Sequence, residues 1–117
     1  MSVDTLLPSE TFDPLRDELA GELILPGDAG YAAARAVWNA MIDAHPAAIA
    51  RCASTADVVA AVNFGREQGL EIAVRGGGHS AAGLGTCDGG LVIDLGAMHT
   101  VDVDPEKRIA VAGGGTT

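Results

Sequence analysis

The sequence predicts an α+β fold, a mixed sheet with flanking helices, and three observations carry that expectation. Segments with apolar residues at helical spacing alternate with short, nearly continuous apolar runs. The order strand, helix, strand between Ala47 and Arg75 has the layout of a parallel crossover, which needs a helix's length of chain between its strands. Two later apolar runs flank Asp104-Pro105-Glu106-Lys107, the layout of an antiparallel hairpin.

Taken in order, residues 1–25 read as a lead segment, polar through Glu22 and carrying Pro8 and Pro14, with Leu15 to Leu25 apolar enough to pack weakly. Pro26-Gly27-Asp28 then breaks the chain, and residues 26–117 form the domain proper. From Tyr31 to Ala44, Ala34, Val37, Trp38, Met41 and Ile42 recur at helical spacing, and His45-Pro46 closes that helix. Trp38 lies on the apolar stripe, where an indole serves the core. Ala47 to Cys52 is a short buried strand. Ser54 with Asp57 three residues on is the start signal of a helix whose apolar face is Val58, Val59 and Val62 and whose stop is Gly69. Strands follow over Glu71 to Arg75, Leu91 to Leu95, Val101 to Val103 and Arg108 to Ala112.

Composition narrows the function. The chain has 117 residues, 48% of them hydrophobic but only 3% aromatic, so its core is modest and built from small aliphatic side chains. A net charge of −9 and a pI near 4.4 argue against nucleic acid as a partner, because phosphate backbones are bound by clustered Lys and Arg. No apolar run is long enough to span a bilayer, and the first fifteen residues lack a basic start followed by an apolar block. The expected compartment is the cytoplasm, where Cys52 and Cys87 remain reduced.

The chemistry concentrates in Arg75-Gly76-Gly77-Gly78-His79-Ser80. Three glycines end an apolar strand and deliver one histidine at a fixed place. Residues without Cβ atoms can turn successive backbone N–H groups toward one point, a concavity suited to phosphate or pyrophosphate. The absence of a Gly-Lys-Ser/Thr ending separates this loop from the nucleotide-binding P-loop.

This segment, followed by Gly83 and by Gly89-Gly90-Leu91-Val92-Ile93-Asp94-Leu95, resembles the FAD-linked oxidases of the vanillyl-alcohol oxidase type. It is most similar to the berberine-bridge-enzyme-like bacterial oxidoreductases. The resemblance runs from about Pro26 to Thr117 and implies the N-terminal part of a PCMH-type FAD-binding domain, truncated at Gly113-Gly114-Gly115-Thr116-Thr117. It further implies FAD as cofactor, with Arg75, Gly76, Gly77, Gly78, His79, Ser80 and Gly83 as its binding residues. His79 matches the histidine that family members commonly bond to the flavin 8α-methyl carbon. A small organic substrate would be oxidised by hydride transfer to the flavin, with dioxygen as the acceptor. The substrate and the catalytic base would depend on residues beyond this chain.

Other readings stay open on sequence alone. One is a non-catalytic fragment, or a small partner-binding domain, that keeps the fold without FAD. Another is a metal module, although His79, Cys87, Asp88 and His99 contain no tightly spaced ligand pair. His99 reads as a surface histidine and Asp94 as a strand-end hydrogen-bonding residue.

Overall fold

The computed structural model describes residues 9–36, 44–76, 88–98 and 101–114. A 3₁₀ turn at Ser9–Phe12 leads into α1 (Asp13–Glu18), followed by β1 (Glu22–Ile24), α2 (Tyr31–Arg35), β2 (Ala48–Arg51) and α3 (Thr55–Glu67). The strands β3 (Ile72–Arg75), β4 (Leu91–Asp94), β5 (Val101–Asp104) and β6 (Ile109–Ala112) complete the order. Four strands form one sheet in the order β1-β2-β4-β3, with β1 antiparallel to β2 and both β2 and β3 parallel to β4. The mixed sheet with flanking helices is therefore present. The two strands of the crossover, however, are not neighbours: β4 lies between them.

Strand alternation sends successive residues to opposite faces, and each face has its own helices. On one face Phe12, Leu15, Ala61 and Phe64 pack over Ala48, Ala50, Leu91 and Ile93, with the Phe12 and Phe64 rings tilted at 42° and 5.6 Å between centroids. On the other, Tyr31 and Ala34 of α2 cover Ile24, Ile49, Ala73 and Val92. The buried Tyr31 hydroxyl donates to the Pro46 carbonyl at 2.7 Å, and burial pushes its pKa up.

Helix α3 begins and ends as its sequence signals require. The Asp57 N–H donates to the Ser54 side chain at 3.4 Å, and the Asp57 carboxylate accepts the Ala53 N–H just upstream at 2.9 Å. At the far end Gly69 takes φ +67°, Leu70 N–H donates to Gly65 O at 2.9 Å and Gly69 N–H to Arg66 O at 3.3 Å. This is a Schellman ending. The buried face consists of Asp57, Ala61, Phe64 and Gly65, flanked by half-buried Val58 and Val62, while Val59 is exposed. Expecting Val59 on the apolar face was thus one position off.

Two further expectations change. The Leu15 to Leu25 stretch does not pack weakly: Leu15 is 1% exposed, Leu23, Ile24 and Leu25 are buried, and β1 adds an edge strand to the sheet. The expected helix over Tyr31 to Ala44 ends at Arg35, because Ala36 turns to extended backbone with ψ 139° and its carbonyl is taken by Arg75. Residues 37–43, with Val37, Trp38, Met41 and Ile42, lie outside the described residues.

Candidate cofactor site at the strand ends

Three parallel strands end on the same rim of the sheet, each in a charged residue: Arg51 on β2, Asp94 on β4 and Arg75 on β3. Register makes them a row, with Arg51 beside Asp94 and Asp94 beside Arg75, and Glu22 of β1 extends it beside Arg51. The charges alternate across the sheet. Arg75 Nη2 lies 2.6 Å from Asp94 Oδ2, Arg51 Nε 3.6 Å from the same oxygen, and Arg51 Nη1 4.0 Å from Glu22 Oε1. Arg75 is 8% and Asp94 4% exposed, so theirs is a buried pair.

Each partner makes a further hydrogen bond to backbone. Arg75 Nη1 donates to the Ala36 carbonyl at 3.0 Å, and Asp94 Oδ1 accepts the Gly96 N–H at 2.8 Å. Asp94 thus has the strand-end hydrogen-bonding role read from the sequence. Arg75, expected among the cofactor-binding residues, has its guanidinium bonded to Asp94 and to the Ala36 carbonyl.

Just beyond this row stand glycines at which a side chain would collide with its neighbours. A Cβ built on Gly76 would lie 2.5 Å from the Gly114 carbonyl oxygen, and one on Gly114 would run into Leu95 Cδ1. One on Gly96 would sit 3.0 Å from Asp94 Oδ1. The turns leaving β3, β4 and β6 therefore converge at one rim, and Gly76, which meets backbone there, has no room for a side chain. Ligands of open α/β sheets bind outside the carboxyl ends of the strands, and this rim is such a place.

Of the residues expected to hold the cofactor, the structure describes Arg75 and Gly76; Gly77, Gly78, His79, Ser80 and Gly83 lie outside the described residues, as do Cys87 and His99. Asp88 Oδ1 accepts the His45 N–H at 2.7 Å and fixes the entry to β2, a structural task. Cys52 is fully buried beside this rim, and burial first, with Asp57 and Asp94 adding, pushes its pKa up to about 11. It is a protonated thiol at neutral pH and suits packing better than nucleophilic chemistry. Sequence reasoning missed the pairing of Arg75 with Asp94 and the approach of Gly114. The signals available were the charged last residue on each parallel strand and the recurrence of glycines after β6.

Comparison with known proteins gives the family. Residues 46–117 match the family described as FAD binding domain. The chain is 41% identical over 97 residues to (R)-6-hydroxynicotine oxidase of Paenarthrobacter nicotinovorans, covering 83% of this chain and 21% of that protein. It is 42% identical over 79 residues to glucooligosaccharide oxidase of Sarocladium strictum, covering 66% and 16%. The crystal structure of 6-hydroxy-D-nicotine oxidase from Arthrobacter nicotinovorans superposes with a TM-score of 0.82 at 40% identity, over 89% of this chain and 22% of that one. Glucooligosaccharide oxidase from Acremonium strictum, described with a 6-S-cysteinyl, 8α-N1-histidyl FAD, gives a TM-score of 0.75 at 36% identity, over 82% and 20%. The chain thus spans about a fifth of the length of such relatives. Fold and sequence match together make this chain a member of the FAD-binding domain family of the vanillyl-alcohol oxidase type, a family whose cofactor is FAD.

Proposed function

We propose that the chain supplies the pyrophosphate-binding part of the FAD site in an oxidoreductase that oxidises a small organic substrate, with dioxygen as the terminal acceptor. The observation that carries this reading is the convergence of the Gly76 and Gly114 backbones at the strand-end rim, within the segment that matches the FAD binding domain. Glycine at these positions lets the backbones approach closely, and a run of residues without Cβ atoms leaving β3 can turn its N–H groups toward one point, as a diphosphate requires. Gly76, Gly77, Gly78 and His79 would offer those N–H groups, with Ser80 and Gly83 shaping the same loop. Bound there, FAD would supply the two-electron acceptor that no side chain provides.

His79 is the proposed point of covalent attachment, because it follows the glycines where a histidine stands in the resembled family. Arg75 serves the site from below rather than as a phosphate ligand, since its charge is matched by Asp94. Relatives are named for nicotine-type and oligosaccharide substrates, so the class proposed here is a small polar organic molecule and no narrower. Among the described residues no helix is long and apolar enough to cross a membrane.

The test is the intact mass of the denatured, complete gene product, read with flavin fluorescence. One FAD retained per chain after denaturation, mapped to a peptide containing His79 and absent from His79→Ala, is the expected result. Flavin content unchanged in both His79→Ala and Gly77→Val would remove the loop assignment, and a native protein devoid of flavin would remove the function.

A further inference from the structure

We infer that Gly114 is a positioning residue for the flavin loop: the turn after β6 presses against the loop's first glycine and fixes where the loop leaves β3. The inference rests on the flavin reading above. Its basis is a closed triangle of contacts. The Gly114 carbonyl occupies the space in which a Gly76 side chain would stand, since a Cβ there would lie 2.5 Å from it. Leu95 occupies the corresponding space at Gly114, where a Cβ would collide with Leu95 Cδ1 and lie 3.4 and 3.5 Å from Leu95 Cβ and Cγ. Leu95 is in turn tied to the residue before Gly76, because its N–H donates to the Arg75 carbonyl at 2.8 Å.

Two sheets meet at this triangle. Among the described residues the β5–β6 hairpin shares no strand pairing with the four-stranded sheet, so its placement depends on contacts of this kind. Glycine at 114 permits the approach, and Leu95 sets its limit. A methyl group added at Gly114 meets the far end of the Leu95 side chain; because Leu95 is packed against the core cluster and resists turning aside, the turn withdraws and releases the first residue of the flavin loop. Ligand-binding groups tolerate little misplacement, so a shift of this kind shows in cofactor retention even while the sheet itself persists.

The experiment compares the complete gene product with Gly114→Ala, Leu95→Ala and the double variant. Flavin retained per chain through gel filtration and fluorescence of the denatured protein are read beside the circular dichroism melting curve of each protein as isolated. Gly114→Ala is expected to lose about tenfold or more of its flavin while still folded. Leu95→Ala keeps its flavin, and the double variant regains it, because truncating Leu95 leaves only its Cβ, at 3.4 Å, beside the new methyl. A rescue of this sort tracks the size of one contact, which a general loss of stability would not do. Wild-type flavin content in Gly114→Ala, or a folded double variant as depleted as the single one, overturns the inference. Should Gly114→Ala fail to fold, the double variant decides: folded with flavin supports the joint, folded without it or unfolded overturns it. Absence of flavin from the unaltered protein removes the flavin reading and this one with it, whereas flavin in both the unaltered protein and Gly114→Ala removes this one alone.

Discussion

The Asp57 carboxylate accepts backbone N–H bonds from Ala20, Gly21 and Ala53, each 2.9 Å long, and so stitches the segment before β1 to the start of α3. Burial alone would raise its pKa; the three donors, Ala53 first, outweigh that and hold it below the usual carboxylate value. A carboxyl whose folded pKa is depressed adds stability above its unfolded pKa, and that stability is lost as pH falls through the lower folded value. Asp57→Ala is therefore expected to lower unfolding free energy by about 2–4 kcal/mol at pH 7, as buried donors lose their acceptor. The difference between wild type and variant should shrink below about pH 4, where the unfolded carboxyl takes up its proton. Urea titrations of both proteins at neutral and acid pH check this, and a gap that widens in acid would reverse the assigned sign. The helix-start role of Asp57 was legible, because Ser54 and Asp57 stand at capping distance in the sequence. Its reach to Ala20 and Gly21 was not, since no local pattern encodes a bond spanning 36 or 37 residues.

Among elements, the parallel strands were legible as apolar runs, and their charged last residues proved to be one structure. The row works only because β4 inserts between β2 and β3, which sets Asp94 between two guanidinium groups. Insertion order is not a local property, and the strand, helix, strand pattern would read the same with β2 and β3 paired. Helix α2 shows the reverse case. Its apolar spacing extends past Arg35, yet the Ala36 carbonyl turns out to satisfy Arg75, thirty-nine residues later. The row predicts a definite coupling. Asp94→Ala leaves a buried guanidinium without its anion and should destabilise by about 3–5 kcal/mol, whereas Arg75→Met combined with Asp94→Leu should cost clearly less than the two single changes summed. A double-mutant cycle from denaturant melts measures the difference. Additive costs would mean that Arg75 and Asp94 do not depend on one another.

For the whole molecule, the core among the described residues sits in the four-stranded sheet and its helices, while the strands of the hairpin lie outside it. Its turn was readable from Asp104-Pro105-Glu106-Lys107, and the Lys107 N–H donates to Asp104 Oδ1 at 3.2 Å as such a turn requires. What the local pattern did not convey is how little of the hairpin is covered. Ile109 and Val111, on one face, are 50% and 63% exposed, and Val103, opposite Ala110 on the other, is 66% exposed. A two-stranded ribbon is marginal in water by itself, and apolar residues on both faces give it surface to bury on each side. The peptide 1–117 on its own should therefore self-associate, and Ile109→Thr with Val111→Lys should reduce that association while leaving the four-stranded sheet folded. Sedimentation velocity over a concentration series, alongside far-ultraviolet circular dichroism, tests the pair of statements. A wild-type peptide that stays monomeric at millimolar concentration would show that the exposed valines and isoleucine do not drive association. A substituted peptide that remains folded but still associates would move the sticky surface elsewhere, with the partly buried groove between α1 and α3, lined by Pro14, Leu15, Ala60 and Phe64, as the next surface to vary.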